Sequence, residues 1–105
     1  MNNIFKNEQT NILYDYYKNL LTQKQQEYYE LYFFEDLTLQ EIAEQMEVSR
    51  TAVHDSINKT ILNLLDFETK LQLSKKFMII KNTIDDYKNN NLNVDILIKK
   101  IEEQI

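Results

Sequence analysis

The residues best suited to chemistry lie in one short run: Ser49, Arg50, Thr51, His54, Asp55, Asn58 and Lys59. On a helix, their spacing places them on the outer side, and they are polar or cationic types that donate and accept hydrogen bonds. Such a face is what a recognition helix presents to a groove, where base edges are read. An ordinary solvated helix face presents the same types, so both readings stand on the residues alone. Catalysis has less to work with. His54 is the only histidine and there is no cysteine, so no Cys/His or paired-imidazole arrangement can be assembled. The acidic residues are scattered at helix-surface spacing without a pocket-forming loop, which supports neither a metal site nor a paired-carboxylate site. The chain reads as a non-enzyme that needs no cofactor and no metal.

A recognition face needs a second helix to hold it, and Leu37 to Ile61 reads as a helix-turn-helix. Thr38 and Glu41 have the spacing of a capping box, with Leu37 placed to staple onto Ile42. Ser49 caps the second helix, and Val48 and Val53 stand where a staple across that cap would put them. Ile42, Ala43, Met46, Val48, Val53 and Ile57 form the apolar set to be buried between the two helices, with Ala43 at the closest approach. Glu47 stands where many such motifs place glycine, and a left-handed conformation would cost it about 1 to 2 kcal/mol. The turn is therefore expected to be of a slightly different type.

The chain of 105 residues has no Gly and no Pro, which disfavours tight hairpins and Gly-rich phosphate loops and predicts an all-α protein. No run approaches the ~18 apolar residues of a membrane span, and nothing resembles a signal peptide, so a soluble cytoplasmic protein is expected. The absence of cysteine fits a reducing compartment. Net charge is −5, and its distribution matters more than its size. Residues 22–60 hold three cationic side chains against eight acidic ones, a local balance of −5, while the flanking segments are each neutral. Because Lys and Arg supply most non-specific affinity for DNA, this module is expected to bind duplex weakly as a monomer.

Residues 1–9 are polar and read as frayed. Ile12/Leu13, Tyr16/Tyr17 and Leu20/Leu21 recur every four residues, predicting a first helix over about 10–21. Thr22 with Gln25 starts a second helix over about 23–35, where Tyr28, Leu31 and Tyr32 face inward and Tyr29, Phe33 and Phe34 lie further round. So many aromatics on one helix predict burial on more than one side. Beyond the motif, residues 50 to about 88 form either one very long helix or two with a bend near Leu73 or Ser74. Asn89–Asn93 is the one clear break, and Asn93 caps a last helix with the stripe Val94, Leu97, Ile98, Ile101 and Ile105. The domain organisation expected is one all-α domain over 1–105: a helical bundle at 10–61 carrying the motif at 37–61, then an extended helical region at 62–105. Its apolar surplus, including Leu65, Phe67, Phe77 and Met78, calls for folding back or for a homodimer. Lys70, Lys75, Lys76 and Lys81 make the one basic cluster, a candidate contact for RNA phosphate or an acidic partner, although a solvated face is the commoner explanation.

From Leu13 to Ile57 the chain resembles the YlxM family of small bacterial helix-turn-helix proteins, whose motif is similar to region 4 of sigma factors. The resemblance covers residues 10–77. It rests on the joined segments L-L-T-x-K-Q (from Leu20), E-L-Y (from Glu30), L-x-E-I-A-E (from Leu39) and V-S-R-x-A-V (from Val48). It implies an accessory role in the signal recognition particle targeting pathway, with the particle's RNA, its GTPase or both as partners. The alternative is a transcription regulator using Ser49, Arg50, Thr51, His54, Asn58 and Lys59 on DNA.

Overall fold

The computed structural model describes residues 8–105, and every regular element among them is helical. In order these are α1 (Glu8–Tyr17), a 3-10 turn (Lys18–Leu20), α2 (Gln23–Phe33), α3 (Leu39–Met46), α4 (Arg50–Leu71), α5 (Leu73–Lys88) and α6 (Val94–Glu102). Of the polar start expected at 1–9, residues 1–7 lie outside the described residues, while Glu8 and Gln9 are helical. Two compact units result, one ending at Lys70 and one spanning Leu71–Ile105.

Helix starts follow local chemistry. Thr22 and Thr38 both close full capping boxes, with Gln25 and Glu41 respectively. Ser49 Oγ accepts the Ala52 N–H at 3.0 Å, and Asn93 Oδ1 accepts that of Ile96 at 2.9 Å. In each case a side-chain oxygen satisfies an amide that the first helical turn leaves without a partner. Helix ends follow a different logic. With no glycine available, the backbone turns left-handed at Asp36, Glu47, Gln72 and Asn90, which Asp and Asn tolerate and which costs Glu47 and Gln72 about 1 to 2 kcal/mol each. Glu47, at φ 58 and ψ 46, thus adopts the left-handed turn that its side chain disfavours, in place of the different turn type expected. Its N–H and that of Val48 satisfy the Glu44 and Ala43 carbonyls, which closes a Schellman motif and offsets the strain.

The core of the first unit centres on Tyr28, Tyr32, Leu39, Ile42, Ala43, Val53 and Ile57, with Leu31, Leu37, Met46 and Ile61 packed against it. Val48 departs from the expected set and stays 38% exposed. The left-handed turn redirects the chain just before it, so Val48 closes the cap with its backbone and leaves the helix crossing to its neighbours. Ala43 is 3% exposed in this cluster, and Ala43→Leu should destabilise the protein by about 1 to 3 kcal/mol through overpacking. Chemical denaturation at fixed protein concentration measures it, and a neutral result would mean the helices can separate there at no cost.

α1 packs on a second side of α2. α1 ends at Tyr17, short of the expected 21, and over α1 and the turn after it the second member of each apolar pair is buried (Leu13, Tyr17, Leu21) and the first exposed (Ile12, Tyr16, Leu20). Tyr14 stacks on Tyr29 at 4.3 Å, and Tyr29 in turn stacks on Phe33 at 4.2 Å. The Tyr29 hydroxyl donates to Asn11 at 2.6 Å, and that of Tyr14 to Glu30. Burial pushes the pKa of both phenols well above the ordinary tyrosine value, so both remain O–H donors. Tyr17 reaches α4, donating to Glu68 at 2.6 Å beside Phe67. Of the two alternatives for residues 50–88, two helices are found, with the break at the left-handed Gln72 between α4 and α5. In the second unit α6 packs back on α5, yet Thr83 is the one buried residue described there, while Phe77, Met78, Tyr87, Val94, Ile96 and Ile98 are exposed.

Candidate nucleic-acid interface

α4 carries the candidate face, and its orientation follows from which side is buried. Val53, Ile57, Thr60 and Leu64 recur at helical spacing and are each 0% exposed. Thr60 belongs to this apolar stripe at little cost, because its hydroxyl donates to the Ser56 carbonyl at 2.8 Å. With that side fixed, Arg50, Thr51, His54, Asp55, Asn58 and Lys59 are all exposed. From Arg50 to Lys59 the face runs about 14 Å along the axis, the scale of a nucleic-acid groove. Ser49 has a different part, as the helix cap with Oγ committed to Ala52.

The charges on this face are uneven. Arg50 and Lys59 have no ion-pair partner among the described residues. His54 Nδ1 lies 3.3 Å from Asp55 Oδ1, an anion set within the face itself. A turn further on, Leu62 and Leu65 continue the outer side and are 57% and 45% exposed, so the face becomes apolar where α4 extends beyond the motif.

The four lysines of the basic cluster fall on two helices. Lys70 lies on α4 and pairs with Asp66 at 2.9 Å, one helical turn away on an exposed surface. Lys75, Lys76 and Lys81 lie on α5, where steps of about 100° per residue spread them around the axis. Lys88 shares the side of Lys81, seven residues on, a pairing that helical spacing makes visible but that grouping by sequence proximity misses. Lys24 and Asn63 are also new. With Lys59 they line a cleft of about 530 Å³ between the start of α2 and the middle of α4, a juxtaposition created by packing alone.

Among the described residues no group of His, Cys, Asp and Glu is arranged to hold a metal, and no helix is long and apolar enough to cross a membrane.

Comparison with known proteins bears on this geometry. A model of the UPF0122 family, described as "Putative helix-turn-helix protein, YlxM / p13 like", matches residues 4–104. A protein of Mycoplasma mycoides described as "Probable UPF0122 protein" is 44% identical over 93 residues, covering 89% of this chain and 82% of that protein. A UPF0122 protein from Mycoplasma capricolum subsp. capricolum is 43% identical with the same coverage. One from Bacillus thuringiensis is 50% identical over 72 residues, covering 69% of this chain and 66% of its own length.

Proposed function

The chain belongs to the UPF0122 family of helix-turn-helix proteins, and from that membership and the face of α4 we propose that it is a non-enzymatic regulatory protein that binds nucleic acid. The observation that carries the reading is the construction of α4. It is capped by Ser49 and anchored by Val53, Ile57 and Leu64, with Arg50, Thr51, His54, Asn58 and Lys59 turned to solvent. This is how a recognition helix is held on its support.

The finer reading is a cytoplasmic accessory protein of the signal recognition particle pathway, with a sigma region 4-like motif, acting on the particle's RNA, its GTPase or both. The YlxM likeness supports the pathway, and charge supports the choice of target. Eight acidic side chains against three cationic ones over residues 22–60 oppose a long duplex DNA backbone. A folded RNA can be held through a few local contacts to loops and phosphates. Duplex DNA is the second reading, supported by the same outward α4 residues. Affinity capture of the tagged protein from its native cell, with RNA sequenced and proteins identified, tests the choice. The particle's RNA or GTPase should be enriched; a defined set of genomic DNA sites in their place would shift the assignment to transcription.

Assembly as a homodimer belongs to the same proposal. α5 and α6 leave Phe77, Met78, Val94, Ile96 and Ile98 between 41% and 58% exposed, more apolar surface than a small helical pair leaves in water without a partner. A second copy covering the Leu71–Ile105 unit would bury it. Sedimentation should give twice the mass of 12.7 kDa at micromolar concentration, and Phe77→Glu with Ile98→Glu should return the monomer. A monomer throughout would remove the idea.

A further inference from the structure

The cleft beside the recognition face goes further than the general nucleic-acid reading, on which it rests. It is lined by Leu20, Lys24, Gln25, Asp55, Lys59 and Asn63. We infer that this cleft takes one unpaired nucleotide from a looped or single-stranded segment of the bound nucleic acid. Its volume of about 530 Å³ falls in the size range of small-molecule sites and is far too small for a duplex. Its chemistry matches the parts of a nucleotide. Leu20, 57% exposed, offers apolar surface to a base ring, and the Asn63 amide can both donate to and accept from a base edge.

Lys24 and Lys59 supply charge for the phosphate, and neither has an ion-pair partner among the described residues. Asp55 could have paired with Lys59 one helical turn away, but it approaches His54 instead. Two of the three cations in the acidic stretch 22–60 therefore meet at this one place. The cleft holds these two cations against the one carboxylate of Asp55, so a single extruded nucleotide meets a net positive lining for its phosphate. Unpaired nucleotides also expose the Watson–Crick edges that a duplex conceals, which is how proteins select loops over stems.

Anisotropy titration of the full chain with three labelled probes tests the inference. The probes are an RNA stem-loop with about six unpaired, mixed-sequence nucleotides, its stem alone as a blunt duplex, and the same stem-loop in DNA. The stem-loop should bind at least about tenfold more tightly than the duplex. Lys24→Ala combined with Asn63→Ala should bring the two within about twofold. Both positions lie outside the core, and unchanged circular dichroism verifies that the variant folds. Arg50→Ala, outside the cleft, should keep the loop preference. Equal binding of the two DNA and RNA stem-loops supports a site indifferent to the sugar, and preference for RNA supports a 2′-hydroxyl contact. Loop and duplex bound equally by the unmodified protein, or a loop preference that survives the double substitution, overturns the cleft and leaves the broader reading standing. Failure to bind any probe overturns the nucleic-acid reading itself and the cleft with it.

Discussion

Replacing Tyr29 with Ala is expected to lower stability by about 3 to 5 kcal/mol, a large part of what a domain this size has. Tyr29 is 0% exposed and lies between Tyr14 and Phe33, with its hydroxyl on Asn11. Truncation removes two stacked contacts, opens a cavity and leaves the Asn11 oxygen without this donor. Tyr29→Phe keeps the rings stacked and should cost only about 1 kcal/mol, so the pair of variants separates packing from hydrogen bonding. Urea denaturation at one fixed concentration measures both. The loss should extend beyond α1, because a helix of 10 residues has little stability alone and this one also reaches α4 through Tyr17 and Glu68. A loss below about 1 kcal/mol for the Ala variant would mean that α1 is not part of the cooperative unit.

The second large effect uses charge to separate the two targets. If the protein works on the targeting machinery, changing Lys70, Lys75, Lys76 and Lys81 to Glu should abolish association with the RNA or GTPase. Arg50→Ala should then change it little. If α4 reads duplex DNA, Arg50→Ala should cost about 1 to 3 kcal/mol at a specific site, and affinity should fall steeply with salt. The first pattern is the expected one, on the balance of charge over residues 22–60. The spread of the α5 lysines around their helix implies that each acts separately, so single reversals should give partial losses that accumulate. Tight, sequence-specific duplex binding at physiological salt that survives all four reversals would establish the DNA reading instead.

The helix starts and the recognition face are legible in the residues because their causes are local. Thr22, Thr38, Ser49 and Asn93 each cap an amide three residues on, and a spacing of three or four residues sorts Val53 and Ile57 from Arg50 and Asn58 before any partner is known. Family resemblance is legible for a related reason, since it lies in the same continuous segment. Tertiary structure decided what depends on residues distant in sequence. Glu47 takes the left-handed turn despite its side chain, because the packing of Ile42 and Ala43 against Val53 and Ile57 fixes where the chain must reverse. Val48 lies outside the core for the same reason. Tyr29 ranks above Leu31 in burial because α1 covers a second side of α2, which the pattern of α2 alone does not weigh against the first. Lys75, Lys76 and Lys81, close along the chain, are spread around α5 by its helical rotation. Lys24 and Lys59, far apart in sequence, share a cleft because α2 and α4 are packed in one unit, and periodicity within either helix carries no record of the other.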